Sequence, residues 1–307
     1  MPSGGTPRNL AVTLAPAVIS RYAPLFPVKV LRSLPATIRA CREAARPLVL
    51  VPTMGALHRG HAALVARARK LAGKDGTVVV SIFVNPTQFG PKEDFSRYPR
   101  SFAADKVLCT AHGADYIFHP EPQDIYPEGF STWVNEESVS LPMCGGARPG
   151  HFRGVCTVVL KLFNIVQPTA AVFGLKDFQQ CTVIRRMVRD LNLPVRIVPA
   201  ETVREPDGLA LSSRNVFLTP EERAQAPILR KALLAARAAF QSGETSAAKI
   251  QRLIERTIST VPLARIDYIS IADADSLEPL KTLRKNTVLA LAVFFGRTRL
   301  IDNLWLR

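Results

Sequence analysis

Apolar residues recur along this chain in two registers. Some short runs are apolar at nearly every position: LVLV at 48–51, TVVVSIFV at 77–84, YIF at 116–118, AAVF at 170–173 and VRIVP at 195–199. Between them, apolar positions fall three and four apart. Residues 61–71 place Leu64, Val65, Ala68 and Leu71 on one helical face, and Val155, Val158, Val159, Leu162, Phe163 and Val166 form a longer stripe. The composition of 179–191 is also helical. Strands that are apolar throughout, rather than at every second residue, predict a parallel sheet covered on both faces. Alternation of such strands with amphipathic helices predicts a doubly wound α/β domain, with its ligand outside the carboxyl ends of the strands.

After about residue 200 the texture changes. EPDG at 205–208 reads as a turn, and TPEER at 219–223 opens a helix with Thr219 as N-cap and Pro220 in its first position. Ile250, Leu253, Ile254 and Ile258 mark another helix. IDYISIA (266–272), TVLALAVFF (287–295) and TRLIDNL (298–304) read as strands, the last two joined across Gly296 and Arg297. Helices followed by a small antiparallel sheet predict a second, α+β domain. The division expected is 28–202 and 203–307, preceded by an extension over 1–27 that lacks periodicity. That extension fits a disordered segment, a transit peptide or a start assigned too far upstream. A secretory signal fits it poorly, because the apolar stretch 10–20 is short, contains Pro16 and is followed by Arg21.

Length and composition narrow the class. A chain of 307 residues, 47% hydrophobic and 21% charged, can bury a sizeable core, and its longest uninterrupted apolar run, 288–295, falls far short of a bilayer span. No membrane role is expected. The five cysteines are scattered, with no C-x-x-C pair and no metal-ligand spacing, so they read as reduced thiols of a cytoplasmic chain. A net charge of +15 raises nucleic acid, an anionic membrane or a phosphate-rich substrate as partners. No block of five or more Lys or Arg occurs, so an ordinary basic surface explains the charge equally well. Nucleic-acid binding would further want aromatics interleaved on a basic face, and aromatics are 7% of the chain.

Three segments carry candidate chemistry. In TMGALHRGH (53–61) a strand runs into a helix, so backbone N–H groups and the positive end of the helix dipole face whatever lies there. His58 and His61 add donors, and Gly60 between them leaves room for a flat ring or a phosphate. A metal-binding pair and a purely structural cap are the alternatives for this segment. FGLKDFQQ (173–180) follows a later strand of the same sheet, which puts Lys176 and Asp177 on the same edge as the histidines; Lys176 offsets phosphate charge and Asp177 accepts from ribose hydroxyls, unless the pair is an ordinary helix start. LSSRN (211–215) places two hydroxyls beside a guanidinium, a group with no acceptor, although Ser and Asn are also common turn residues. Taken together, the three point to a nucleoside triphosphate.

These segments, with VSIFVNPTQFG, RPGHFRGVCTVVLKLFNIVQP and REPDGLALSSRN, resemble the pantothenate synthetase (pantoate–β-alanine ligase) family from about residue 28 to the carboxyl terminus. The resemblance implies a Rossmann-like nucleotidyltransferase domain, a smaller C-terminal lid, a homodimer, and a reaction of ATP, Mg²⁺, pantoate and β-alanine through a pantoyl adenylate. Position by position, it puts ATP on Met54, His58, Gly60 and His61, on Gly174, Lys176 and Asp177, and on Ser212, Ser213 and Arg214. Catalysis of adenylation falls to His58, His61, Lys176, Ser212, Ser213 and Arg214. Pantoate would be held by Gln88 and Gln180, with Val158 and Val159 facing its gem-dimethyl group. Asp105 is the one Mg²⁺ candidate, because the segment before it lacks the acidic cluster of some family members. Leu211 stands where the family commonly has Met, a volume-conserving change. A hinge near 200–208 would let the C-terminal part close over the site.

Overall fold

The computed structural model describes residues 27–91, 93 and 95–307, so the extension expected over 1–27 lies, except for Pro27, outside the described residues. The first half runs β1 (Lys29–Leu31), α1 (Leu34–Glu43), β2 (Leu48–Thr53), α2 (Arg59–Ala72), β3 (Thr77–Ile82), α3 (Phe102–Ala111) and β4 (Tyr116–Phe118). Two single-turn helices follow, α4 (Pro122–Ile125) and α5 (Cys144–Ala147), then α6 (His151–Val166), β5 (Ala170–Gly174), α7 (Phe178–Asp190) and β6 (Arg196–Ala200). The six strands are all parallel, in the order β1-β4-β3-β2-β5-β6.

The unbroken apolar strands have a direct cause. In β2, Leu48 and Leu50 face one core, with α6 and α7, while Val49 and Val51 face the other, with Val65, Ala68 and Ala72 of α2. None of the four is more than 1% exposed. A polar residue on either face would lie in a closed layer, so period-2 alternation never develops. The sheet departs from its predicted limits by small amounts. Phe83 and Val84 leave β3, β6 begins one residue late, and β1 and α1 carry no strong signal of their own.

From β2 the chain steps to β3 on one side, then crosses to β5 on the other. Between β2 and β5 the strand order therefore reverses, and a crevice opens at their carboxyl ends. The loop after β2 carries the histidines and the turn after β5 carries Lys176.

The second half contains α8 (Pro220–Gln225), α9 (Ile228–Gln241), α10 (Ala247–Ile258), β7 (Ala264–Asp273), β8 (Thr287–Phe295) and β9 (Thr298–Leu306). Thr219 caps α8 in a reciprocal box with Glu222, and β7, β8 and β9 form an antiparallel sheet in that order. Its central strand is apolar throughout because both faces are covered. Leu289, Leu291, Val293 and Phe295 pack on α9 and α10, whereas Val288 and Ala290 join the core that holds α6 and α7. Trp305 of β9 meets Phe178 of α7 edge-on, with ring centroids 5.7 Å apart. The small sheet thus docks directly on the helix that begins beside Lys176.

Candidate active site

A cavity of about 230 Å³ lies at the reversal between β2 and β5. It is lined by Met54, His58, Gly60 and His61 from the β2–α2 turn, by Gly174, Lys176, Asp177 and Gln180 from the β5–α7 turn, and by Ser212, Ser213 and Arg214 from the segment before α8. Gln88, Val158 and Val159 complete it from the far side. Fourteen of the fifteen residues singled out in the sequence therefore share one wall-to-wall space; Asp105 does not.

The two histidines are held reciprocally. His58 is the N-cap of α2, and its Nδ1 accepts the Gly60 N–H at 3.1 Å. The Nδ1 of His61 accepts the N–H of His58 at 3.3 Å. Backbone amides can only donate, so both Nδ1 atoms are bare and each neutral ring carries its proton on Nε2. Burial, then the nearby Lys176 ammonium, pushes the His58 pKa down to about 4, against a partial pull from Asp177. Burial, then His58 and Lys176, pushes that of His61 to about 3. At neutral pH the site thus presents two uncharged N–H donors.

Gly60 lines the cavity and also packs against the cap. A Cβ there would lie 2.8 Å from Cε1 and 2.9 Å from Nδ1 of His58. The glycine makes room for the cap's own imidazole.

The second turn is set from outside the parallel sheet. β5 ends at Gly174, and a 3₁₀ turn over Leu175–Asp177 leads into α7. Asn303 of β9 donates from Nδ2 to the carbonyls of Leu175 at 2.9 Å and Lys176 at 2.8 Å. Ser212 caps the third segment by accepting the Arg214 N–H at 3.2 Å, and Tyr98 OH lies 3.3 Å from Ser213 Oγ.

On the far side, Gln88 is buried, with Oε1 accepting from Asn85 at 3.1 Å and Nε2 lying 3.0 Å from Met54 Sδ. Its carbonyl is gripped by Nδ1–H of His151 at 2.8 Å, and Nε2 of His151 takes a hydrogen bond from Arg148 at 3.1 Å. Burial, then the charge of Arg148, holds the His151 pKa down near 4, so it too is neutral. Arg148, His151, Asn85 and Tyr98 all line the cavity, yet none was assigned a role from sequence. The signal lay in RPGHF, where Arg148 and His151 sit three apart as a helix begins.

Asp105, expected near Mg²⁺, does not line the cavity. It is 1% exposed, and its Oδ2 accepts the Ala56 N–H at 3.0 Å while Oδ1 accepts Leu57 N–H at 2.7 Å and Ser101 Oγ at 3.3 Å. Those bonds spend the carboxylate on the loop behind the cavity. Among the described residues no group of three or more His, Cys, Asp or Glu is placed to hold a metal. The carboxylates at the cavity wall are Asp177 and Glu201, too few for a resident all-protein cage.

A smaller space of about 60 Å³ adjoins the first, sharing Arg148, Lys176, Asp177, Gln180 and Arg214 with it and closed by Tyr268 and Arg299. Donors and cations from separate segments thus converge on one crevice beside an apolar wall from α6. That arrangement suits a polyphosphate at one end and a small, partly apolar acid at the other.

The chain resembles known proteins over most of its length. The family model for pantoate-beta-alanine ligase matches residues 28–305. The pantothenate synthetase of Geobacter sulfurreducens is 54% identical over 265 residues, covering 86% of this chain and 93% of that protein. The crystal structure of pantothenate synthetase from Thermus thermophilus superimposes with a TM-score of 0.86 at 47% identity, over 91% of this chain and 99% of the other. The pantoate-beta-alanine ligase of Francisella tularensis, solved with β,γ-ATP and β-alanine, gives a TM-score of 0.73 at 30% identity over 91% and 97%.

Proposed function

The chain belongs to the pantoate-beta-alanine ligase family, and from that premise we propose how its cavity carries out the ligation. The reaction condenses pantoate with β-alanine through a pantoyl adenylate, releasing AMP and pyrophosphate. A carboxylate is a poor acyl donor because its leaving group would be oxide. Attack of a pantoate carboxylate oxygen on the α-phosphorus of ATP breaks the bond to the β-phosphate bridge and turns that oxygen into part of AMP, a far better leaving group. The free amine of β-alanine then attacks the carbonyl and expels AMP.

Negative charge builds on the departing pyrophosphate in the first step. Donors fixed there stabilise the transition state more than the ground state. Lys176, Arg214, Ser212, Ser213 and the Nε2–H groups of His58 and His61 fill that role, while Met54, Gly60, Gly174 and Asp177 form the walls of the nucleotide site. Gln88 and Gln180 hold the hydroxyls and carboxylate of pantoate, and Val158 and Val159 face its methyl groups. The observation that carries this reading is that all these groups line one cavity at the sheet's reversal point.

Magnesium would enter as the partner of the triphosphate; among the described residues no group of three or more His, Cys, Asp or Glu is placed to hold it. It supplies charge neutralisation on the phosphates. Residues 28–202 hold the nucleotide and pantoate, and residues 203–307 cover them; just past the crossing, Arg204 pairs with Asp302 of β9 at 2.6 Å. A cytoplasmic homodimer is the proposed assembly; among the described residues no helix is long and apolar enough to cross a membrane. The deciding experiment is pantoate-dependent exchange of labelled pyrophosphate into ATP. Exchange that ignores pantoate would overturn the reading.

A further inference from the structure

We propose that Asp105 is a positioning residue of the adenylation site: its buried carboxylate fixes the turn before α2, keeps the Nε2 protons of His58 and His61 on the nucleotide, and holds no divalent cation. The inference rests on the assignment of the two histidines to adenylation.

The turn it holds is an unfavourable one. Gly55 has φ +82° and Ala56 has φ +50°, so a non-glycine residue sits in the left-handed region beside a glycine that also does. Such a residue costs on the order of 1 kcal/mol and persists only where its surroundings over-determine it. Here Thr53 Oγ1 accepts the Gly55 N–H at 3.3 Å, and the carboxylate of Asp105 holds the next two amides. Its two oxygens take the successive N–H groups of Ala56 and Leu57, and Ser101 Oγ adds a third donor. A Cβ on Gly55 would come 3.1 Å from Oδ2, so glycine also permits the close approach.

The next amide along is the functional one. Because the 56–57 peptides are pinned, the N–H of His58 is directed at Nδ1 of His61, and that bond puts the His61 proton on Nε2. The cap of His58 on Gly60 does the same for the other ring. Asp105 therefore reaches the imidazoles through three consecutive backbone amides, without touching either ring. It lines neither cavity, and a Mg²⁺ there would compete with the bonds its oxygens already accept from the Ala56 and Leu57 amides.

The test is the Asp105→Asn variant, which keeps the shape but offers one acceptor oxygen where two are needed and turns an amide NH₂ on a backbone N–H. With ¹⁵N-histidine labelling at neutral pH, the wild-type protein should show His58 and His61 as Nε2–H tautomers. In the variant, the His61 signals should move toward the averaged position of exchanging tautomers. Its pyrophosphate exchange should slow about tenfold through the loss of one such bond, while the Mg²⁺ concentration for half-maximal rate stays within about twofold of wild type. Unchanged histidine signals in the folded variant would overturn the proposal, as would a tenfold or larger rise in that Mg²⁺ requirement. Should the variant not fold, wild-type protein without nucleotide decides the metal question by Mn²⁺ titration followed by electron paramagnetic resonance. Mn²⁺ that stays free supports a positioning role; one tight Mn²⁺ per chain sinks it. Pantoate-dependent exchange in the wild type tests the assigned reaction separately.

Discussion

Arg148 and Glu93 meet as a two-pronged ion pair, Nε to Oε1 at 2.7 Å and Nη2 to Oε2 at 2.6 Å. The same guanidinium donates to His151, which grips the Gln88 carbonyl, so a carboxylate on the 89–98 segment steadies the amide assigned to pantoate. Burial alone would raise the Glu93 pKa, but the hydrogen bond and charge of Arg148 outweigh it and hold that carboxyl below its ordinary range. Both side chains are partly exposed, which limits the worth of the pair to about 1 kcal/mol. Glu93→Gln should therefore raise the KM for pantoate about fivefold and leave kcat close to wild type. Steady-state kinetics with pantoate varied at saturating ATP checks this, and an unchanged KM would detach Glu93 from the site.

Lys176 faces the cavity beside both histidines, and its charge contributes to keeping them neutral. Removing a well-placed donor from a developing anion costs roughly 2.7–4 kcal/mol of barrier. Lys176→Ala should lower the single-turnover rate of adenylate formation at least about a hundredfold, with circular dichroism and the melting temperature near wild type. Near-wild-type adenylation would remove Lys176 from the transition state.

The three histidines of the cavity set an acid limit. His58 and His151 titrate near 4 and His61 near 3 in the folded chain, against an ordinary value of 6.5. Between those limits the unfolded chain binds more protons than the folded one, so stability is complete above about pH 6.5 and falls as the pH drops toward 4. Folded His58 and His61 stay neutral from pH 6 to 8, so neither gives a step in the adenylation rate there. Rates across that range, with denaturant melts from pH 7 to 4, test both halves. A rate step near 6.5 that vanishes in His61→Gln would show that His61 is charged during turnover.

Much of the fold was legible because burial leaves a one-dimensional trace. Leu48 to Val51 is apolar at every position since each face of β2 meets a different core, and TVLALAVFF in β8 is apolar for the same reason. The first two of the segments that line the cavity were legible because they sit where strands hand over to helices. What stayed hidden depends on long-range pairing. Asp105 lies 49 residues from the Ala56 amide it accepts, and nothing local marks it as a loop anchor. Arg148 and His151 were visible as residue types, but their partners Glu93 and Gln88 stand 55 and 63 residues away. The contact of Gly60 with the His58 ring, two residues back along its own chain, was not read from the sequence.

Gly154, near the start of α6, shows how closely that helix approaches the side of the cavity assigned to pantoate. A Cβ there would lie 2.6 Å from the Thr87 carbonyl oxygen and 2.8 Å from the Gln88 amide nitrogen, both backbone atoms that cannot swing aside. The Gly154 carbonyl also accepts from Asn85 at 3.1 Å. Gly154→Ala must push the 85–88 turn off the helix, at a cost of about 1–3 kcal/mol. A melting temperature lower by several degrees, with a rise in the pantoate KM larger than that for ATP, is the expected result. Equal effects on both substrates would mean that the strain spreads past Gln88.

Asn303 offers the sharpest test of how the C-terminal sheet serves the site. Its Nδ2 bridges the carbonyls of Leu175 and Lys176 in the 3₁₀ turn, and at 9% exposure it has little water to replace it. Asn303→Ala strands both carbonyls and frees the turn, so adenylation should slow about tenfold. Asn303→Asp should be worse, because a carboxylate then faces two carbonyl oxygens. If the effect passes through Lys176, the double variant with Lys176→Ala should be no slower than Lys176→Ala alone, since a displaced ammonium cannot be lost twice. Rates that multiply instead would show that β9 stabilises the transition state by a route independent of Lys176.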